Sequence, residues 1–497
     1  MRPPQNRRDF LKISAAGLAG TAFLAGAGRL PAASNGRYVP RHYGEKPSKI
    51  IFFISDGMSQ GVLSLTESFS QMVRGKGTHF AKMMQDETMG HGWFETYALN
   101  SHVTDSAAAS CAFGSGTRIL NDWLNMLPGG RKLEPILRLA KQAGYGTGVV
   151  TTATVTHATP AGFVANSERR WFEADFAEQY LGVVDVAMGG GKRVFDPEQR
   201  DDGVDLLEKF REQGYHISLD REDALKAGGN SKLLGLYANG FLPYTLDQQN
   251  DRELLQAVPT LAEMTGTALE VLGHASSKGF VVQVEGARVD HAAHANDAAG
   301  LIWDQLAFDD ALGVALEYQR RNPETLIVVT SDHGNSNPGL NGAGGGYMGS
   351  MDGLRRLPLA KATTGAIRGR LGDLGNGGAT PPADVQDVVK ELLGIELNRT
   401  DASYISDMTG GQMPHEFNQE HRNFNGIFNQ IIGNHTCVGW CGTSHTEDYV
   451  VLAASGPGHE AFNKLLRNTD AFHIMTHFLG IDHVNETMNL EKAMELA

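Results

Sequence analysis

Three acids stand directly after short apolar runs in this chain. Residues 50–54 lead into Ser55-Asp56-Gly57, residues 280–284 into Glu285-Gly286, and residues 326–330 into Ser331-Asp332-His333-Gly334. A single acid in that position is ordinarily a cap or a turn residue. Three of them, two with a histidine close by, point to a shared site, because carboxylates gathered at one edge repel unless cations neutralise them. The second run continues as Glu285-Gly-Ala-Arg-Val-Asp290-His291-Ala-Ala-His294. Asp290 and His294 are four apart, so on a helix they share a face. An oxygen and an imidazole at that spacing suit zinc. An exposed helical pair, with His291 and His294 facing water, is the plain alternative. His445, in Gly442-Thr-Ser-His445-Thr-Glu-Asp, offers itself as a third ligand to the Asp290–His294 site.

The nucleophile candidate is Ser106, in Val103-Thr-Asp105-Ser106-Ala-Ala-Ala. Asp105 or Ser106 caps the helix that the Ala run favours. A Ser at that helix start faces the positive end of the dipole, which favours an alkoxide and a bound anion. A plain cap without catalysis is the usual outcome for Asp-Ser before an Ala run. The chain places no evident histidine base around it, which leaves metal coordination as the way to activate the hydroxyl. In His157-Ala-Thr159-Pro160-Ala, Pro160 reads as the first helical residue, with Thr159 as its cap or as a hydroxyl ligand for magnesium. Arg170 is expected about three turns along that helix, placed to clamp a phosphate in bidentate fashion. Arg169 is the near-equal choice, and a solvated helix surface is the alternative for both.

The elements that must hold these residues are legible as an α/β pattern. Residues 49–54, 147–151, 279–284, 325–330 and 449–453 are β-branched or aromatic runs with little alternation, as parallel strands covered on both faces should be. Helical patterns lie at 134–143, 206–213, 260–275 and 297–319. The expected fold class is therefore α/β, a mostly parallel central sheet flanked by helices. Residues 334–378 are rich in Gly and Asn and read as a long loop, and 381–393 as a helix with Pro near its start. One domain over 34–497 is expected, with a surface insertion around 334–440.

Composition narrows the function classes. With 497 residues, 41% hydrophobic and 20% charged, the chain has ample material for a core, and global disorder is excluded. A net charge of −14 argues against nucleic acid as a partner. Arg7 and Arg8 precede a small-residue apolar stretch at 13–28, too short and too Gly/Ala-rich for a stable membrane span. Residues 1–33 thus read as a twin-arginine export signal, with the twin-arginine translocase as a partner during export and a periplasmic or secreted destination. An uncleaved anchor is the alternative. Three cysteines rule out a disulfide scaffold. In an oxidising compartment Cys437 and Cys441 are expected to pair, in preference to a zinc knot with His435, leaving Cys111 as a buried helical thiol.

Six motifs in order, spanning about residues 49–460, carry a resemblance: Ile54-Ser-Asp56-Gly-Met, Thr104-Asp105-Ser106-Ala-Ala, His157-Ala-Thr159-Pro-Ala, the Glu285–His294 run, Thr330-Ser-Asp332-His333-Gly and Ser444-His445-Thr. Together they resemble the alkaline phosphatase family, and Gly189-Gly-Gly-Lys-Arg resembles its glycine turn after a strand. The resemblance implies a homodimeric α/β sandwich with two zinc ions and one magnesium ion per subunit. It assigns Asp290, His294 and His445 to the first zinc, and Asp56, Asp332 and His333 to the second, with Ser106 beside it. Asp56, Thr159 and Glu285 would hold the magnesium. It further implies a phosphomonoesterase of broad specificity that releases phosphate through a phosphoserine at Ser106. Arg170 would bind the phosphate, by its spacing of thirteen from His157; aligning on Trp171 would favour Arg169. His157 and His291, where some bacterial members carry Asp and Lys, resemble the animal enzymes and tune the site, so that the third site could take zinc. The rival readings are a phosphodiesterase or other hydrolase of the same superfamily, and a secreted metal- or phosphate-binding protein without turnover.

Overall fold

Phe52 and Phe53 are neighbours in one strand and point to opposite faces, which is how a sheet comes to be covered twice. On one side Phe53 meets Phe308 edge-on at 5.6 Å. On the other Phe52 meets Phe113 at 5.4 Å and Phe163 at 5.8 Å. The computed structural model describes residues 45–229, 232–342, 347–413 and 419–496. It shows a ten-stranded sheet built from β1 (Lys49–Ser55), β2 (Gly90–Glu95), β3 (Gly146–Thr154), β4 (Val186–Gly190), β5 (His216–Ser218), β6 (Leu233–Leu236), β7 (Phe280–Gly286), β8 (Thr325–Thr330), β9 (Val450–Ser455) and β10 (Leu465–Arg467). The order across the sheet is β10-β2-β9-β8-β1-β7-β3-β4-β6-β5. Only β9 runs against its two neighbours; every other pairing is parallel.

The five expected strands are all present, and β3, β7, β8 and β9 are buried along their whole length. The other five are short or Gly-rich, such as Gly90–Glu95 and Val186–Gly190, and lack a clear apolar run. The helices Leu261–Ala275 and Ala298–Arg321 match the periodic segments within a residue or two, each started by a side-chain cap from Thr260 or Asp297. No helix among the described residues is long and apolar enough to cross a membrane. The export segment at 1–33 lies outside the described residues.

The long loop expected over 334–378 is in part helical. Helices Gly349–Leu354 and Thr364–Gly375 form there, followed by Pro382–Leu393, Arg399–Thr409 and Phe424–Thr436. Ile367 and Leu371 share one helical face and are fully buried with Val385, Val389, Ile405 and Phe428 in a second apolar cluster. Four glycines within Thr364–Gly375 hide that stripe in the sequence, and tertiary burial overrides their low propensity. The two ends of the excursion come together: Gly339–Leu340 pairs with Val438–Gly439, and Gly334–Asn335 with His445–Thr446, both antiparallel. Cys111 is buried as expected, but Cys437 and Cys441 are free thiols. Cys437 faces the Gly349 carbonyl and Cys441 that of Asn337. The extended pairing of the Val438–Gly439 segment between them holds the two apart.

Phe308 lies fully buried against both Phe53 and the backbone of Gly286. Phe308→Ala is expected to cost about 3–5 kcal/mol in urea unfolding; a loss below about 1 kcal/mol would mean that this helix does not anchor the sheet.

Candidate active site

Register decides where the acids meet. Ile54 of β1 is level with Thr330 of β8 and with Glu285 of β7, so Asp56 and Asp332 each stand two residues beyond a paired position. Adjacent strands lie about 4.8 Å apart, which brings the three carboxylates to one edge. Asp56, Glu285 and Asp332 are completely buried, and Asp290 nearly so. Asp290 enters from helix Arg288–His294, which starts directly after β7. Gly57 makes the approach possible. Its φ is +69°, and a Cβ there would lie 2.6 Å from Asp290 Oδ1.

Two groups of possible metal ligands share His333: Asp290, His333 and His445, and Asp56, Asp332 and His333. A third consists of Asp56, His157 and Glu285, and within each group the ligand atoms lie within 4.8 Å of one another. His294 belongs beside the first, with Nε2 at 3.4 Å from Asp290 Oδ2 and 3.0 Å from His445 Nε2. Thr159 Oγ1 stands 3.4 Å from Asp56 Oδ2, so it adjoins the third group. His157 Nδ1 lies 3.8 Å from Glu285 Oε1, which puts this residue in the donor set of the third site itself.

The backbone sets the imidazole tautomers. His294 Nδ1 donates to Thr443 O at 2.8 Å, His445 Nδ1 to Thr104 O at 2.8 Å, and His333 Nδ1 to Gly334 O at 3.3 Å. A carbonyl only accepts, so each Nδ1 carries the proton and each Nε2 turns a lone pair inward. Those lone pairs face one another and the carboxylates, His333 Nε2 standing 3.3 Å from Asp56 Oδ1 and 3.4 Å from Asp332 Oδ2. Asp56 Oδ1, Asp332 Oδ2 and Glu285 Oε1 are buried without a hydrogen-bond partner. Orphaned acceptors at this density are costly unless a cation binds them. The donor set therefore fits divalent metal ions.

Charge crowding has the same consequence. Burial, then the charges of Asp332, Asp290 and Glu285, push the Asp56 carboxyl well above the usual carboxylate range. Burial and Asp290 push Asp332 up to about 8. For Asp290 burial also acts upward, but the imidazoles of His294, His445, His333 and His291 outweigh it and hold its carboxyl below the usual range. Burial lowers His333 and His445.

Ser106 is the first residue of helix Ser106–Ser115, and Asp105 is its cap, accepting from Ala108 N at 2.9 Å. The hydroxyl has a histidine after all: Ser106 Oγ lies 3.2 Å from His333 Nε2, contributed from far along the chain. The Thr159 segment is a four-residue turn, Ala158–Ala161, preceded by His157, so Pro160 is not its first residue. That turn ends well before Arg170, which therefore does not ride on a helix. Ser167 instead bridges to Leu124, and Arg170 N donates to Asp122 O at 2.8 Å. Arg170 is the buried member of its pair with Arg169. Its Nη1 donates to Asp105 Oδ2 at 2.9 Å and its Nη2 to His157 Nε2 at 3.2 Å. His291 is half-buried, with Nδ1 taking a hydrogen bond from Arg288 Nη1 at 3.0 Å; burial and Arg288 lower its pKa.

Sequence reasoning missed Asn335, whose Nδ2 donates to Asp290 Oδ1 at 2.6 Å from the two-residue strand that pairs with His445. It also missed Thr151, which donates to Glu285 Oε2 at 2.5 Å. Neither carries a spacing signal; only the neighbouring strand brings each to its acid.

With this geometry established, likeness to known proteins is informative. The alkaline phosphatase family model matches residues 48–481. The chain is 29% identical over 438 residues to alkaline phosphatase 3 of Bacillus subtilis, spanning 85% of this chain and 86% of that protein. It is 31% identical over 343 residues to the alkaline phosphatase of Escherichia coli, spanning 58% and 70% of the two. The crystal structure of Thermus thermophilus alkaline phosphatase superposes with a TM-score of 0.84 at 32% identity, over 92% of this chain and 99% of that one.

The raised carboxylates give a signed expectation for the metal-free protein. An acid whose folded pKa stands at about 8, as for Asp332, against 3.8 unfolded keeps its proton in the fold while the unfolded chain loses it. Stability of chelated protein therefore falls as pH rises through that window, and divalent metal restores it at the upper end. Calorimetric Tm of chelated protein measured from pH 5 to 8 checks this; a Tm that stays flat without metal would contradict it.

Proposed function

The chain belongs to the alkaline phosphatase family and is a metal-binding phosphomonoesterase, and from that premise we propose that Ser106 is its nucleophile and that the reaction passes through a phosphoserine. What supports this most is the convergence on one hydroxyl. Ser106 Oγ sits at a helix N-terminus, beside the orphaned carboxylates, with the Arg170 guanidinium held near it by Asp105.

The residues suit two zinc ions and one magnesium ion. Asp290, His294 and His445 would hold the first zinc, and Asp56, Asp332 and His333 the second. Asp56, Thr159 and Glu285 would hold the magnesium, with His157 near enough for that site to take zinc instead. Bound there, the ions would supply positive charge that acidifies the Ser106 hydroxyl and a water, and that balances the departing oxygen.

Ser106 Oγ, having lost its proton, attacks phosphorus in line. The Oγ–P bond forms, the ester P–O bond breaks, and the alcohol departs and takes up a proton. Arg170 donates two N–H groups to the non-bridging oxygens, while Asp105 fixes its plane. The positive end of helix Ser106–Ser115 faces the same charge. In the second half water adds to phosphorus, the Oγ–P bond breaks, and inorganic phosphate leaves with Ser106 restored. The residues named so far bind the phosphoryl group, so a broad range of phosphate monoesters is accepted. A homodimer extends this reading on the family resemblance. Export by the twin-arginine translocase, to the periplasm or beyond, rests on Arg7-Arg8 and the stretch at 13–28.

Hydrolysis of p-nitrophenyl phosphate at mildly alkaline pH, beside bis(p-nitrophenyl) phosphate, tests it. Chelation is expected to abolish turnover, and zinc with magnesium to restore it. Ser106→Ala should lower kcat/KM by about 1,000-fold or more, and Arg170→Ala by about 100-fold. Wild-type turnover by Ser106→Ala would remove the nucleophile assignment, and faster diester than monoester cleavage would move the protein to the sister class.

A further inference from the structure

Two large aromatic side chains flank the Arg170–His157 pair and remain open to solvent. Trp171 is 66% exposed and Phe241 is 41% exposed. Neither is loose. The Trp171 ring lies 4.7 Å from the Arg170 guanidinium. At the other end, Phe241 meets His157 edge-on at 5.7 Å and leans over His291 at 4.6 Å. Contacts thus run from Trp171 to Arg170, from Arg170 to His157 and from His157 to Phe241, a polar centre between two apolar walls.

The Phe241 wall is seated by the glycine turn that the mechanism leaves without a role. Gly191 N donates to Ala238 O and to Gly240 O, and Leu242 N to Thr152 O. A Cβ on Gly190 would lie 2.0 Å from Gly240 O, so only glycine lets the turn after β6 approach the end of β4 this closely. The backbone around Phe241 is therefore fixed, and its outward face is presented at a constant place.

Large apolar surfaces held rigid and wet beside a charged site are suited to a partner that brings its own apolar face. On the phosphomonoesterase reading above, Arg170 holds the phosphoryl group, and the part of the ester that extends from it and can bring an apolar face is the alcohol portion. We propose that Trp171 and Phe241 contact the leaving group, and that the site favours phosphate monoesters of planar aromatic alcohols over those of small aliphatic ones. Both residues determine specificity and take no part in bond making; the proposal rests on the assignment of Arg170 to the phosphoryl group.

Phosphonates, whose P–C bond is not hydrolysed, separate binding from chemistry. Competitive Ki values for phenylphosphonate, methylphosphonate and inorganic phosphate would be measured on metal-loaded wild type, Phe241→Ala, Phe241→Leu and Trp171→Ala. Each Ala variant is expected to weaken phenylphosphonate about 5- to 10-fold, with methylphosphonate and phosphate within about twofold of wild type. Phe241→Leu should lie between, since it keeps bulk and loses the ring. Equal weakening of all three inhibitors would overturn the proposal and make the aromatics supports of Arg170 and His157. Unchanged phenylphosphonate binding would also overturn it. A wild type that hydrolyses monoesters yet fails to prefer phenylphosphonate sinks this inference alone, whereas no turnover and no inhibition by phosphate sinks the functional reading first.

Discussion

Asp56, Glu285, Asp290 and Asp332 share a volume that excludes water, and four negative charges cannot stay there unpaired. That repulsion governs the rest of the architecture. The sheet contributes to it directly, because β8, β1 and β7 are in register and end at one level. An extended parallel ladder is stiff, so the acids cannot move apart to relieve their charge. The protein answers with inward imidazole lone pairs, and its buried Arg170 is paired with Asp105, which leaves most of the neutralising charge to bound cations. The buried sheet is thus a scaffold whose stability is tied to the occupancy of its edge.

The supporting residues serve geometry more than charge. Three histidines are oriented by backbone carbonyls on three separate segments, Thr104, Gly334 and Thr443. Such outer partners set the tautomer and the ring plane before any ion arrives. Asn335 does the same for Asp290, and Thr151 for Glu285. Asp105 joins two functions, since one oxygen caps the Ser106 helix while the other holds Arg170. A nucleophile and the guanidinium meant for its substrate are in this way tied to one carboxylate, which keeps their separation constant.

The excursion over 334–440 matters for the same reason. Its two ends close on themselves through the Gly334–Asn335 and Gly339–Leu340 pairings. This closure brings His445 alongside His333, the rings stacking with centroids 3.8 Å apart. The helices beyond build a second apolar cluster around Val385, Val389 and Phe428, joined by Leu246 and Ala299. They give the loop ends a rigid base without placing a residue among the ligand groups.

Much of this was legible along the chain, because some information is strictly local. Strands buried on both faces need continuous apolar runs, which exposed the five central strands, the antiparallel β9 among them. The acids at their ends, the Asp290–His294 spacing and the Asp-Ser before an Ala run follow from rules that act over a few residues. Where the rule needed a distant partner, local reading failed. It set Arg170 on a helix that ends at Ala161, treated helices of the excursion as loop, and saw no histidine near Ser106. It paired two cysteines that an extended segment keeps apart. The sequence by itself determined which residue types stand at the ends of which strands, since apolar periodicity and capping are short-range. Only the tertiary structure decided which of those ends meet, through strand order, register and the closure at the neck of the excursion. Those depend on pairing between segments whose separation along the chain carries no spacing signal.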